Sequence, residues 1–241
     1  MQASEYTNIV REEKKHFWYQ ANRSFAQTLL EKYIFSRRIK ILDAGCGVGS
    51  NWHILAKLGS VVGIDNHKSA IKHARRYSYD KLVLGDVNNL PFLNSKFDLV
   101  TSFDVLYHQQ VMPQKAISEF FRVLKPGGWL LIRVPAFEFL RGQHDVIVKT
   151  KQRFTAQEIK ELFVESGFEI VKLTYFNASL FLPLLLKRHF FNKSGSDIGP
   201  LPQFINWCLR QWLRLEEYIV QVVNLPFGTS VYCLAIKLKS K

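Results

Sequence analysis

The chain has 241 residues, enough for one α/β domain with a substantial core, and 47% of them are hydrophobic against 22% charged, as in a typical globular protein. The net charge of +13 suits a nucleic acid, a phospholipid surface or an anionic substrate, and it serves solubility equally well. The three scattered cysteines, Cys46, Cys208 and Cys233, are too few for a disulfide framework or a zinc site and favour a reducing, cytoplasmic location.

No targeting or membrane-spanning segment is expected. The first residues are polar and do not resemble a signal peptide. The longest apolar run, residues 179–186, is shorter than the ~20 residues that a spanning helix needs.

The first predicted element is a helix over residues 12–33, in which apolar residues recur at three- and four-residue spacing. Near its start, Phe17, Trp18 and Tyr19 stand side by side, and these three aromatics cannot all face one core. One interpretation packs the helix on the edge of a sheet. The other lets part of the aromatic cluster cap a bound ligand.

Residues 41–50 predict a short buried strand, a glycine turn and the start of a helix. Asp43 closes the strand, and Gly45, Gly47 and Gly49 form the turn, where a ligand can approach the main chain without meeting a Cβ atom. The G-x-G-x-G spacing differs from the G-x-G-x-x-G fingerprint of dinucleotide sites. It favours a cofactor without a phosphate group.

Acidic residues close the next two predicted strands. Residues 60–65 end in Asp65, about twenty residues after the glycine turn, where a carboxylate can accept hydrogen bonds from both hydroxyls of a ribose. Residues 81–86 end in Asp86. A fourth strand, residues 97–103, follows. Ligands of such sheets lie at the carboxyl ends of the strands, so these side chains are candidates for one site.

Helices and strands alternate through the rest of the core. The predicted helices are 113–124 and 155–165, and the predicted strands are 129–134, 168–176 and 230–237. This alternation predicts right-handed crossovers and a mostly parallel sheet with helices on both faces.

Taken together, these motifs resemble the class I S-adenosylmethionine-dependent methyltransferases, in their small-molecule branch known as methyltransferase type 11. The resemblance covers residues 40–136, including Asp86 with the following Leu-Pro-Phe and the Arg-Val-Leu-Lys-Pro-Gly-Gly run at 122–128. An N-terminal helix beginning Glu-x-x-His-aromatic-Trp with a nearby Arg extends it. The matching residues are Glu13, His16, Phe17, Trp18 and Arg23.

The resemblance implies a Rossmann-like seven-stranded sheet in the order 3-2-1-4-5-7-6, with the last strand antiparallel. It also implies S-adenosylmethionine as the cofactor and S-adenosylhomocysteine as its product. The residues implied to bind the cofactor are Asp43, Gly45, Cys46, Gly47, Gly49, Asp65, Asn66, Asp86, Val87, Phe103, Trp18 and Arg23.

We expect a single domain over residues 1–241. Its parts are a helical cap at 1–38, a core sheet at 39–176 and 229–238, and a helical lid insertion at 177–228. The insertion is far longer than a typical hairpin loop of about 2–5 residues. It must stand over the cofactor face, because strand six ends at the edge where an antiparallel strand seven begins.

The insertion contains an apolar segment at 181–186, a basic patch (Lys187, Arg188 and His189) and a turn region at 194–202. A helix over 204–223 follows. Its apolar stripe is Ile205, Cys208, Leu209, Trp212, Leu215, Ile219, Val222 and Val223, opposed by Arg210, Arg214, Glu217 and Gln221. The first interpretation packs this stripe on the core. The alternatives are an apolar lid for the methyl acceptor or a helix on a membrane surface.

In methyl transfer from a sulfonium, positioning supplies most of the catalysis, and a base matters when the acceptor is a hydroxyl. Two histidines are candidates, His108 after strand four and His144 in the loop after strand five, with His144 preferred on the acceptor side. A loop histidine bonded to the backbone is the plain alternative for His144. Arg141 and Arg153 either bind an anionic acceptor or pair with acidic residues. No metal site is expected, since no zinc motif is present.

The leading prediction is therefore methyl transfer to a small-molecule, saccharide or lipid-linked acceptor. The expected location is cytoplasmic, with peripheral membrane contact through residues 177–228 left open. The alternatives are an RNA methyltransferase, favoured by the charge but without a recognisable RNA-binding module, and a cofactor-binding protein without turnover. The glycine spacing weighs against a third alternative, a dinucleotide oxidoreductase.

Overall fold

The computed structural model describes residues 3–35, 38–190 and 201–239. Within these ranges, seven strands form one sheet. The strands are β1 (Ile39–Ala44), β2 (Gly59–Asp65), β3 (Lys81–Leu84), β4 (Phe97–Phe103), β5 (Leu124–Pro135), β6 (Phe168–Phe176) and β7 (Ser230–Lys237). Their spatial order is β3-β2-β1-β4-β5-β7-β6, which confirms the predicted topology.

The pairing directions place the functional edge of the sheet. The five strands from β3 to β5 pair in parallel, whereas β7 runs antiparallel to both β5 and β6. The carboxyl ends of β1, β2, β4 and β5 therefore meet at one edge, where open α/β sheets bind ligands.

Helices cover both faces of the sheet. They are α1 (Ala3–Glu12), α2 (Phe17–Tyr33), α3 (Trp52–Leu55), α4 (Lys68–Ala74), α5 (Pro113–Val123), α6 (Gln143–Ile147), α7 (Ala156–Glu165), α8 (Phe181–Phe190) and α9 (Gln203–Val222). On one face, Phe120 of α5 and Phe163 of α7 belong to one apolar cluster. On the other face, Phe25 of α2 stacks on Phe176 of β6 with ring centroids 4.4 Å apart. A sheet buried on both faces explains the continuous apolar runs of its central strands.

The N-terminal helix is divided in two. The predicted helix over 12–33 begins instead at Phe17, and α1 precedes it. The backbone N–H groups of Lys15 and His16 both donate to the Glu12 carbonyl, each over 2.9 Å, and so close α1. His16 then caps α2, since its Nδ1 accepts a hydrogen bond of 3.3 Å from the N–H of Trp18. Histidine is not a preferred capping residue, which explains why the pattern missed this boundary.

Two smaller elements can be compared with their predictions. The helix predicted at 155–165 is present as α7. It begins with a capping box, in which Thr155 and Glu158 each accept a hydrogen bond from the other's backbone N–H, and it ends before Gly167 at φ +85°. The strand predicted at 129–134 is longer in the structure, because β5 begins at Leu124, which pairs with Phe97 ahead of a break in the register.

The insertion contains the two helices α8 and α9. The predicted turn region at 194–202 falls mostly outside the described residues, as does the side chain of His189. None of the helices in the described ranges combines the length and hydropathy needed to cross a bilayer.

Core packing, the first interpretation of the α9 stripe, holds for Leu209 but is wrong for most of the stripe. Trp212 is 58% exposed, Ile219 55% and Val222 84%. The opposite side of the helix packs inward, with Leu213 and Val220 fully buried. The carboxylates of Glu216 and Glu217 also lie on this inward side and accept hydrogen bonds there. These polar contacts, rather than the apolar stripe, therefore set the orientation of the helix.

Candidate functional site

A cavity of about 710 Å³ lies at the carboxyl edge of the sheet. Its walls come from the glycine turn, the ends of β2, β4 and β5, the start of α2, the loop around α6, and α8. This volume is within the usual range of small-molecule pockets. The predicted site residues that line it are Trp18, Arg23, Gly45, Cys46, Gly47, Asp65, Asn66, Val87, Phe103, His108 and His144.

The glycine turn leaves the main chain accessible. Gly45 has φ +79°, and a Cβ atom there would lie 2.2 Å from a methyl group of Val105. Gly47 has φ +54°, and a Cβ atom there would meet nothing within 4 Å. Because Gly47 also lines the cavity, a ligand can approach its backbone directly. Burial raises the pKa of the Cys46 thiol, which supports its role as a small neutral residue.

Asp65 links the turn to β2. One carboxylate oxygen accepts a hydrogen bond from the N–H of Gly47 and the other from the N–H of His67, both over 2.9 Å. The side chain is 9% exposed, and burial raises its pKa although the two N–H groups act in the opposite direction. Each oxygen retains acceptor capacity on the cavity side. Such a carboxylate can receive two neighbouring hydroxyl groups.

Two predicted cofactor residues lie behind the cavity wall. Asp43 is 1% exposed and accepts hydrogen bonds from the hydroxyls of Tyr79, over 2.9 Å, and Thr101, over 3.3 Å. Burial raises the pKa of Asp43 to about 6. A Cβ atom at Gly49 would lie 2.5 Å from the Tyr77 ring. Both residues therefore shape the turn from behind, and direct ligand contact stays a prediction for them.

Asp86 lies beside the cavity without lining it. It is exposed, and its Oδ1 accepts hydrogen bonds of 2.9 Å from both the backbone and the side-chain amide of Asn88. Its neighbours Gly85 and Val87 do line the cavity. Asp86 orders the loop after β3, and its predicted contact with the cofactor is not tested by this geometry.

The N-terminal cap meets a buried ion pair that the sequence analysis missed. Arg133 is 7% exposed, forms a salt bridge with Asp104, and lies 4.9 Å from the centre of the Trp18 ring. All three residues line the cavity. An arginine inside a buried strand is the signal that could have revealed this pair, because a buried charge requires a partner.

Glu13 fixes the cap to the glycine turn. It is 1% exposed, and its carboxylate accepts hydrogen bonds from Ser50, Arg76 and Tyr77. Arg23 donates to the Glu13 carbonyl. The cap is thereby held against the cavity by a charged network rather than by apolar contacts alone.

The two candidate histidines both line the cavity. His108 Nδ1 is 2.9 Å from the Val148 carbonyl, and since a carbonyl only accepts, Nδ1 carries the proton. Its Nε2 is then available as an acceptor. Burial lowers the pKa of His108 to about 4. His144 lies on the short helix α6 and is partly exposed.

The two arginines of this region pair with acidic residues. Arg153 forms two hydrogen bonds with Asp145, of 2.9 and 3.1 Å, and both side chains are buried. Arg141 pairs with Glu138 at the surface. The geometry therefore favours the second of the two interpretations left open for these arginines.

The insertion contributes both apolar and basic side chains to the cavity lining. These residues are Leu180, Pro183, Leu184, Lys187, Arg188 and Leu201. Among the described residues, no group of three or more His, Cys, Asp and Glu side chains could hold a metal ion.

We expect the His108 ring to stay neutral down to about pH 5 in the folded protein, with a midpoint near 4. Because this pKa lies below the ordinary value of 6.5, the unfolded chain binds more protons between the two values. The free energy of unfolding should therefore fall as the pH drops from about 6.5 towards 4. An NMR titration of the histidine ring signals, assigned with a His108→Asn variant, measures the midpoint. A midpoint near 6.5 in the folded protein would contradict the assigned environment.

Part of the chain is similar in sequence to known methyltransferases. A family model described as "Methyltransferase domain" matches residues 42–132. A Mycolicibacterium smegmatis protein named "Probable S-adenosylmethionine-dependent methyltransferase" is 29% identical over 161 residues, which are 65% of this chain and 61% of that protein. A sterol 24-C-methyltransferase from Debaryomyces hansenii is 33% identical over 118 residues, 45% of this chain and 31% of that enzyme. The chain thus spans less than two thirds of either relative.

Solved structures share the whole fold. A SAM-dependent methyltransferase from Aquifex aeolicus superposes with a TM-score of 0.59 at 12% identity, covering 99% of this chain and 100% of that one. The [4+2]-cyclase SpnF superposes with a TM-score of 0.61 at 20% identity, covering 92% of this chain and 84% of that one. Since one of these proteins is described as a cyclase, the fold alone does not specify the reaction.

Proposed function

We propose that the chain is a class I S-adenosylmethionine-dependent methyltransferase, which its similarity to methyltransferase proteins supports, and that it transfers the methyl group of S-adenosylmethionine to a small-molecule, saccharide or lipid-linked acceptor with an apolar part. The observation that carries the proposal is the continuity of the cavity. The glycine turn and Asp65 line the same cavity as the two histidines and the apolar residues of the insertion.

The glycine turn, Asp65 and their neighbours fit the cofactor. The accessible backbone of Gly47 suits a ligand that approaches the turn closely, and the Asp65 carboxylate suits the two ribose hydroxyls. Val87, Phe103 and Trp18 provide apolar surface for a purine ring. Bound S-adenosylmethionine supplies a methyl group on a positively charged sulfur, which leaves as a neutral thioether when a nucleophile displaces it.

The chain itself contributes position and a proton acceptor. Three aromatic rings of the N-terminal cap line the cavity and can exclude water from it; they are Phe17, Trp18 and Tyr19. His108 Nε2 can accept a hydrogen bond from an acceptor hydroxyl and hold it towards the cofactor side. With a pKa of about 4, His108 is a weak base, so orientation is its main contribution. We assign His144 to acceptor binding, next to the basic and apolar lining.

The side chains of the insertion support this acceptor class. Leu180, Leu184 and Leu201 offer apolar contact, while Lys187 and Arg188 add positive charge beside them. The sterol 24-C-methyltransferases among the relatives support a lipid-type acceptor. A cytoplasmic location, expected from the sequence, and peripheral membrane contact of residues 177–228, which the sequence left open, belong to this proposal.

The test is a transfer assay with methyl-labelled S-adenosylmethionine. Purified protein is incubated separately with a membrane lipid extract, a set of hydroxylated small molecules and sugars, and total RNA. We expect label in the lipid or small-molecule fraction and a lower yield with His108→Asn and His144→Asn, at unchanged cofactor affinity.

Label confined to RNA would replace the proposed acceptor with a nucleic acid. Cofactor binding without label in any fraction would favour a binding protein without turnover. Lys57→Gln, which changes an exposed charge outside the cavity, is the matched control and should transfer as the wild type does.

A further inference from the structure

Helix α9 presents a broad apolar face to the solvent. Its 20 residues form more than five turns, and one side carries large side chains that are between 55% and 84% exposed. These residues are Phe204, Trp207, Trp212, Leu215, Ile219 and Val222. A contiguous patch of this kind marks an interaction surface rather than an ordinary scatter of exposed apolar residues.

The opposite side of α9 is fixed in the fold by its carboxylates. Glu216 accepts hydrogen bonds from the N–H groups of Ala178, over 2.8 Å, and Ser179, over 3.0 Å. Glu217 accepts one from the Thr28 hydroxyl. Both carboxylates are 7% exposed. The helix cannot rotate its apolar face inward without breaking these bonds and leaving buried charges unsatisfied.

The charges around the face are basic. Arg214 is exposed and borders it on one side, Arg210 one turn earlier is partly exposed and donates to Gln20 of α2 over 3.1 Å, and the two acidic residues of α9 both point inward. At the C-terminal end, Lys32 Nζ donates to the Gln221 carbonyl over 2.8 Å. The net charge of the chain is +13. This arrangement complements an anionic surface, since basic residues beside a membrane surface are attracted to anionic lipids.

The aromatic residues fit the same occupant. Trp207, Trp212 and Tyr218 are all exposed on or beside the face. Tryptophan and tyrosine are favoured where one end of the side chain is apolar and the other is wet, as at the boundary of a bilayer. A protein partner would not require this combination with a basic border.

The face begins at the cavity. Leu201 lines the cavity two residues before α9. At the start of the helix, Asn206 accepts a hydrogen bond of 2.7 Å from the N–H of Phe17, a residue of the cap that also lines the cavity. In α8, Leu184 lines the cavity while Leu182 is 59% exposed. Any surface that covers α9 therefore lies next to the cavity mouth.

We propose that α9 lies in the headgroup region of an anionic lipid bilayer, with its apolar face inserted, and that the cavity opens towards this bilayer. The proposed binding to the bilayer depends only on the exposed apolar face and on the basic residues beside it. Only the passage of an acceptor from the bilayer into the cavity rests on the proposed methyl transfer.

The test measures co-sedimentation with vesicles of phosphatidylcholine containing about one third phosphatidylglycerol, compared with phosphatidylcholine alone. We expect affinity for the anionic vesicles at least about tenfold higher, decreasing with salt. The double variant Trp212→Glu/Ile219→Glu should lose about tenfold or more of this affinity, because two charges enter the inserted face. Val164→Glu, which changes a residue of α7 that is 59% exposed, should bind as the wild type does.

A second measurement tests insertion without introducing a charge into the face. Brominated lipids should quench the tryptophan fluorescence of the bound protein, and Trp212→Phe should reduce that quenching. No sedimentation of folded wild-type protein with anionic vesicles, or equal loss in the Val164→Glu variant, would overturn the proposal. A dimer that the double variant dissociates, without vesicle binding, would assign the face to a second copy instead. Neither cofactor nor acceptor is present, so a failure of methyl transfer leaves this result unaffected.

Discussion

Replacing Asp65 by alanine should weaken S-adenosylmethionine binding by about 100-fold, because the variant loses a carboxylate that accepts hydrogen bonds from ligand hydroxyls. It also loses the acceptor for the Gly47 N–H, which lies 2.9 Å away and orients the turn. Equilibrium dialysis with labelled S-adenosylmethionine measures the loss directly.

Asp80→Ala is the matched control for this prediction. Asp80 is an exposed carboxylate at the start of β3 and does not line the cavity. Its removal should leave the affinity within about twofold, as expected for a surface change. Equal affinity of the wild type and the Asp65→Ala variant would show that the ligand does not use the end of β2.

Replacing Arg153 by methionine should lower the free energy of unfolding by about 3–5 kcal/mol, because it leaves the buried Asp145 carboxylate without its main partner. Burial opposes ionisation of Asp145, but the Arg153 guanidinium, the Gly142 N–H and Arg188 together outweigh it and hold the pKa of Asp145 below its usual range. The stabilisation is present above the ordinary carboxyl pKa and is lost as the pH falls through the lowered one. Urea unfolding at neutral pH measures the loss.

Arg141→Met provides the control for the buried pair. Arg141 forms a partly exposed pair with Glu138 three residues away, and its loss should cost less than about 1 kcal/mol. A similar cost for both variants would mean that the Asp145–Arg153 pair is hydrated rather than buried. Because this pair joins the two ends of the loop that carries His144, its rupture should also disturb the acceptor side of the cavity.

The sheet and the glycine turn follow from local sequence signals. Each parallel strand ends in a turn at the same edge, so the residues after β1, β2 and β4 were predicted together without knowledge of long-range contacts. Gly45, Gly47 and Asp65 do meet in one cavity. Their spacing along the chain, together with the alternation of helix and strand, contains this information.

Local sequence signals do not predict which side of α9 is buried. A helical stripe identifies two faces but not which of them is buried. The decision depends on Glu216 and Glu217, whose partners Ala178 and Thr28 lie far away in the chain. Two glutamates beside an apolar stripe look like a solvated face until these partners are known.

The ion pairs of the cavity wall were missed for the same reason. Arg133 and Asp104 are 29 residues apart, so the arginine inside a buried strand indicates that a partner is needed, but no local pattern identifies Asp104 as that partner. Glu13 was predicted within the cap, but its contacts with Ser50 and Arg76 join three separate segments. Such pairs form only when tertiary structure brings the segments together, which a local pattern does not describe.

The most direct test of the account is an isothermal titration of the wild-type protein with S-adenosylmethionine, S-adenosylhomocysteine and NADH. We expect both adenosyl compounds to bind at one site with micromolar affinity and NADH to give no binding heat. Binding of NADH, or no binding of either adenosyl compound to folded protein in the presence and absence of anionic vesicles, would contradict the assignment of this cavity to S-adenosylmethionine.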